Sequence, residues 1–419
     1  MANEDLRHAK RNKNDEFYTQ YSDIQKEINA YLEYDPDAFR GKTVLLPCDD
    51  PEWSNFTKFF AQNFEMFGLK KLISTSYALD SKRKRYKYCR QLEMFETEAP
   101  QYDPAIDEMQ GKKFILERDI NNSGRIDIDD LEFDYLKCDG DFRSEEVKKL
   151  RDEADMIITN PPFSMFREFF AWVIEAGKKF LIIGNKNAVT YKEIFPLFMQ
   201  NKIWMGATCN GRDMVFGVPE GAEVSPSDKA KAEKLGYKGN YTRLGNACWI
   251  TNLEHGRRHE PLMLMTMADN LKFSRHKEIR ANGYPKYDNY AAIEVPFTDA
   301  IPDDYEGIMG VPITFLDKYC PEQYEIIGMS KTPLGNHLRT KIYGRQIQHG
   351  LAGSTNVTKL NDGAALLSDK KPEKYPFYEV DGKYYTVVYP RILIRKRAQN
   401  ENDTADGYNY RRNLQGLCV

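Results

Sequence analysis

Three things are missing from this chain: a glycine-rich phosphate fingerprint, a CxxC pair and any hydrophobic run of membrane-spanning length. Without CxxC or a Cys/His cluster, the seven scattered cysteines suggest neither a structural zinc site nor a disulfide framework, and a reducing cytoplasm is expected. Met1 to Asn14 is polar and charged, unlike the apolar core of a signal peptide, so the expectation is a soluble protein with no membrane contact. A strong excess of one charge is missing too. The formal net charge of −3 excludes a chain-wide basic coat, so any nucleic-acid contact has to come from local patches.

What is present is material for two domains, with 419 residues and 41% apolar content. Short aliphatic runs alternate with longer amphipathic ones, the pattern of a parallel, doubly wound α/β sheet with crossover helices. Strands are expected at Thr43 to Leu46, Leu72 to Thr75, Phe133 to Cys138, Met156 to Thr159, Phe180 to Ile183 and Trp249 to Asn252. Phe56, Phe59, Phe60, Phe64 and Phe67 fall at helical spacing ahead of Gly68 and read as core. Met165 to Glu175 reads as a helix closed by Gly177. The charged, tyrosine-rich stretch from about 76 to 130 reads as an insertion, and the looser pattern after about 270 as a second domain, giving 1–270 and 271–419.

Chemistry is concentrated where strands end. Thr159 is followed by Asn160, Pro161, Pro162 and Phe163. Two prolines fix φ and remove two backbone donors, which favours carbonyl acceptors around them. The Asn160 side-chain oxygen and the Pro161 carbonyl suit one exocyclic amine, and Phe163 offers a flat face to a flipped base. An ordinary strand-terminating turn is the plain alternative. After the first strand comes Pro47, Cys48, Asp49, Asp50, Pro51, with no GxGxxG, so a phosphate cradle is not expected there. Asp49 and Asp50 suit a cationic, phosphate-free cofactor such as S-adenosylmethionine, or simply cap the following helix. Asp141 and Phe142 close a Cys-Asp-Gly-Asp-Phe turn, readable as a purine contact or as a turn with a core ring. Phe17, Tyr18 and Thr19 read as a lid or a helix cap.

Taken in order, DEFYT, LLPCDDPEWSNF, DGDF and TNPPF, with the later GNKNAVTYKEIF and CWITN, resemble the EcoRI-type adenine-specific DNA methyltransferases over roughly the first two-thirds of the chain. The resemblance implies a class I (Rossmann-like) S-adenosylmethionine-dependent methyltransferase fold with a C-terminal target-recognition domain. It implies transfer to the N6 amine of adenine in double-stranded DNA, with no metal. By the same resemblance Phe17, Tyr18 and Thr19 enclose the cofactor, and Asp49, Asp50 and neighbours including Pro47 bind its polar end. Asp141 and Phe142 hold its adenine, and Asn160, Pro161 and Phe163 hold the target base. A cognate restriction endonuclease acting separately is a compatible partner. Ser74 to Tyr77 lacks the acidic residue that usually grips a ribose, which departs from the wider pattern.

Contacts to DNA are expected in two places. Lys82 and Arg83 open a basic, aromatic run, which also reads as a solvated charged face. Arg339, Lys341, Arg345 and Gln346 belong to a carboxyl-terminal region rich in the side chains that read guanine and adenine edges. Methylation of another amine, on an rRNA base or a protein glutamine, is the alternative within enzymes. A DNA-binding relative without catalysis is the alternative outside them, and cofactor binding separates it from the rest.

Overall fold

Gly41, at φ +68°, turns the chain into Thr43–Leu46 (β2), four aliphatic or β-branched residues that are all buried. They form the middle of an eight-stranded sheet in a computed structural model that describes residues 17–50, 54–78, 103–209, 213–218 and 224–398. The chain divides between Arg258 and His259 into two compact units, ahead of the boundary near 270 expected from composition. Among the described residues no helix is long and apolar enough to cross a membrane.

In the first unit the strands are Tyr18–Thr19 (β1), β2, Lys71–Ser76 (β3), Lys112–Leu116 (β4), Glu132–Tyr135 (β5), Met156–Thr159 (β6), Lys179–Asn185 (β7), Trp204–Met205 (β8), Met214–Gly217 (β9), Tyr241–Leu244 (β10) and Ala247–Thr251 (β11). The main sheet runs β5-β4-β3-β2-β6-β7-β11-β8. Its centre, β3-β2-β6-β7, is parallel, with Leu45 opposite both Ile73 and Ile157. Both flanks are antiparallel, so the sheet is mixed and not parallel throughout as expected.

On the β3 flank the reason lies in the segment read as an insertion. From Lys112 it supplies β4, which inserts between β3 and β5. Charge disguised this strand. The Lys112 ammonium is buried on the equally buried Asp107 at 2.5 Å, while Lys113 reaches across the ladder to Asp134 at 3.1 Å. Buried charges of this kind are tolerated only when paired, a condition that composition does not reveal.

Helix Asn55–Gln62 (α2) follows β2 and helix Tyr21–Tyr34 (α1) follows β1. The phenylalanine stripe is core as expected, although the helix breaks at Asn63 before a last turn, Phe64–Phe67, that Gly68 ends in the left-handed region. Helix Phe166–Ala176 (α3) ends on Gly177 in the same way. It packs so closely on β7 that a Cβ on Gly184 would meet the Phe166 ring at 2.7 Å.

The second unit carries Ala292–Glu294 (β12), Ile308–Val311 (β13), Tyr324–Met329 (β14), Gln346–Gly350 (β15), Gly353–Val357 (β16), Ala365–Ser368 (β17), Phe377–Val380 (β18), Lys383–Val387 (β19) and Ile392–Lys396 (β20). They make a four-stranded sheet, β12-β13-β20-β14, and a five-stranded antiparallel sheet, β16-β15-β18-β19-β17.

Candidate active site

Strands β2 and β6 lie side by side and parallel, so their carboxyl ends bring the Pro47 to Asp50 turn and the Asn160 to Phe163 turn together. One buried carboxylate ties the two turns. Asp49 accepts from Ser54 Oγ at 2.6 Å and from Thr159 Oγ1 at 2.5 Å. Its carbonyl accepts from Thr57 Oγ1 at 2.9 Å and from Ser74 Oγ. Burial pushes the Asp49 carboxyl up to about 7, against the two hydroxyl bonds and with help from the neighbouring Asp50 charge. Asp49 is only 4% exposed, and it pins the β2 and β6 turns to the start of α2. Pro47 is buried and its carbonyl accepts from Thr75 Oγ1 at 2.9 Å; Asp50 is half-buried beside it.

Asn160 is half-buried, and its Nδ2 donates to the Phe17 carbonyl at 2.7 Å. That bond turns the amide so that Oδ1 is the open end. Oδ1 is buried and accepts no hydrogen bond. An unsatisfied buried acceptor costs about 1–3 kcal/mol. Pro161, Pro162 and Phe163 are buried, and the Pro162 carbonyl accepts from Met165 N at 3.0 Å to begin the turn into α3.

Phe17 lies 5.5 Å from Phe163, ring centre to ring centre, and both meet Phe216, at 6.1 and 6.4 Å, in edge-to-face contacts. Phe216 was not anticipated. It enters because β1 pairs antiparallel with β9, setting Thr19 opposite Phe216 in the small sheet β1-β9-β10. The four-residue strand β9 is bracketed by turn residues, Asn210-Gly211 before it and Pro219 after it, but these do not say which distant strand it pairs with. Asn55 fixes the other side, donating to the Thr19 carbonyl at 2.7 Å. The Thr19 hydroxyl, like Asn160 Oδ1, is buried and without a hydrogen-bond partner. Tyr18, half-buried, lies between Phe17 and Thr19.

Helix α1, which β1 leads into, is anchored by Glu27. This fully buried carboxylate accepts from the Ala207 and Thr208 amides at 2.7 and 2.8 Å, from Thr208 Oγ1 at 2.5 Å and from the Tyr31 hydroxyl at 2.8 Å. Its pKa is raised by burial, with those bonds pulling the other way.

In the Asp-Gly-Asp-Phe turn, Phe142 has no exposed surface; its ring packs on Phe169 at 5.2 Å and Trp172 at 5.7 Å, as the plain reading of a turn with a core ring expects. Asp141 is gripped by Arg143, which reaches Oδ1 through Nε at 3.0 Å and Oδ2 through Nη2 at 2.7 Å. The turn is pressed against β3, since a Cβ on Gly111 would sit 2.5 Å from Gly140 Cα and 2.6 Å from the Ser76 carbonyl oxygen.

Of the residues expected at DNA, Lys82 and Arg83 lie outside the described residues. Arg339 Nη2 bonds Thr332 Oγ1 at 2.6 Å, and Lys341 pairs with Asp288 at 2.6 Å. Gln346 corrects the expectation: it is 1% exposed, its Oε1 accepts from Leu360 N at 2.9 Å, and it holds a loop in place of reading bases. Arg345 is exposed, with Asn356 Oδ1 at 3.5 Å.

The central strands of the mixed sheet thus end in a turn that sets a buried, open acceptor beside an aromatic cluster. The chain belongs to the EcoRI family of adenine-specific methyltransferases, whose family model matches residues 5–397. It is 41% identical over 331 residues to type II methyltransferase M.EcoRI from Escherichia coli, covering 79% of this chain and 90% of the relative. It is 33% identical over 347 residues to type II methyltransferase M.MpnI from Mycoplasma pneumoniae (82% and 91% covered) and 32% identical over 326 residues to M.MgeORF184P from Mycoplasma genitalium (78% and 86% covered). No solved structure matches the chain.

Proposed function

We propose that this adenine-specific DNA methyltransferase transfers a methyl group from S-adenosylmethionine to the N6 amine of an adenine flipped out of a specific duplex sequence, on a class I methyltransferase fold. The observation that carries the reading is Asn160: its amide is oriented by the Phe17 carbonyl, and Oδ1 is buried and unused. An aromatic amine is a poor nucleophile because its lone pair is delocalised into the ring. Asn160 Oδ1 and the Pro161 carbonyl, each accepting one amine hydrogen, favour a more tetrahedral nitrogen with its lone pair directed at the methyl group. Phe163, with Phe17 and Phe216 around it, supplies the apolar wall against which the base is held.

S-adenosylmethionine, when bound, supplies an electrophilic methyl on a sulfonium centre, so the site's task is alignment. Support for its fit comes from the Thr19 hydroxyl, buried without a partner, and from the absence of a phosphate cradle after β2. Tyr18, Thr19, Pro47 and Asp50 are assigned to the cofactor's polar parts, with Asp141, fixed by Arg143, toward its adenine. The second unit is assigned target recognition, and a separate restriction endonuclease remains compatible with the type II relatives.

The test is to incubate the full chain with methyl-labelled S-adenosylmethionine and duplex DNA, then digest the DNA to nucleosides. Labelled N6-methyl-2′-deoxyadenosine in wild type, lost in Asn160→Ala, is the expected result. Label in another base, in RNA or in protein would overturn the assignment.

A further inference from the structure

Between Glu325 and Asp362 the chain has no acidic residue, although it carries 63 of them in 419, while Lys331, Arg339, Lys341, Arg345 and Lys359 all fall inside that window. The window contains the hairpin β15–β16, at the edge of the five-stranded sheet. Leu351 to Asn356 are six consecutive exposed residues. Strand β16 has a glycine and three polar residues before Val357, so neither of its faces has the apolar stripe that a protein partner would cover. Residues opposite one another share a face: Ile347 with Asn356 and His349 with Ser354, and Arg345 continues that face, reaching Asn356. The acid on it, Glu379, is held by His349 at 2.9 Å. Lys371 lies 5.8 Å over the Phe377 ring on which His349 stacks, extending the basic character. At the tip, Gly350 and Gly353 leave Leu351 projecting alone, 92% exposed.

We propose that this ribbon enters the major groove of the substrate duplex, with Arg345 and Asn356 reading base edges and Leu351 contacting a thymine methyl. Two strands about 5 Å apart fit a groove about 12 Å wide, and Arg, Asn and an apolar tip match guanine, adenine and the thymine methyl respectively. The inference rests on the reading of the second unit as the target-recognition part.

The experiment uses the full chain and the duplex it methylates, identified by mapping modified adenines in host DNA. Binding by fluorescence anisotropy and methylation are compared for wild type, Arg345→Ala, Asn356→Ala and Leu351→Ala, on the cognate duplex, on singly altered duplexes and on cognate duplexes with single thymine-to-uracil changes. Discrimination at one base pair is expected to fall about 5- to 150-fold in the first two variants. One uracil change should weaken wild type but not weaken Leu351→Ala further. Unchanged discrimination in all three variants overturns the proposal, and if Lys331→Ala or Lys359→Ala then impairs binding, the second unit reads DNA through another element. A uniform loss on every sequence with a shallower salt dependence also overturns it, since the ribbon then touches only phosphates. If wild type transfers no methyl to DNA, the underlying functional reading fails first, and this one with it.

Discussion

Asn160 Nδ2 and the Phe17 carbonyl, 2.7 Å apart, join the turn after β6 to the residue that leads into β1, 143 positions away, and their bond decides which end of the Asn160 amide stays open. The residue entering β1 therefore orients the Asn160 amide.

Asn160→Ala is expected to fold normally and to lose turnover by about a hundredfold or more, because the acceptor matters chiefly at the transition state. Single-turnover methylation alongside a thermal melt checks this. A variant with near-normal rate would remove Asn160 from the mechanism.

Thr19→Val should act with opposite signs on two measurements. Removing an unpartnered buried hydroxyl is expected to stabilise the ligand-free protein by about 1 kcal/mol, while S-adenosylmethionine binding, by calorimetry, weakens by about 1–3 kcal/mol. Unchanged affinity would place the cofactor elsewhere.

Asp49 gives the protein a pH signature. Its carboxyl holds a proton up to about 7 in the folded chain, whereas an unfolded aspartate releases it near 4. The folded state thus binds more protons across that window, and its stability from this group, fully present below about 4, is lost as pH rises toward 7. The slope is at most about 1.4 kcal/mol per pH unit. Asp49→Asn, uncharged and near-isosteric, should lack this component, so urea melts of the two proteins should diverge in the variant's favour from pH 4 to 7 and run parallel above.

Gln346→Ala should cost roughly 1–3 kcal/mol of stability in the second unit by leaving Leu360 N without its acceptor, and should leave sequence preference unchanged. Denaturant unfolding and methylation of altered duplexes separate the two effects. A change in preference without loss of stability would return Gln346 to the DNA interface.

Much of the fold was legible because burial leaves a local trace. Thr43–Leu46, Met156–Thr159 and the phenylalanines ahead of Gly68 announce strands and a helix by apolar runs and 3.6-residue spacing. Strand β4 stayed hidden because its lysines are neutralised by Asp107 and Asp134, residues that only folding brings near. Phe216 joins the site through an antiparallel pairing that no periodicity encodes. Asp49 and Gln346 show the same limit: whether a polar side chain faces a ligand or a neighbouring hydroxyl or amide depends on which partner lies within about 3 Å, and that distance is set by long-range packing. Local sequence determined what the strand ends are made of; tertiary structure decided which of their polar atoms are satisfied from within and which, like Asn160 Oδ1, are left open.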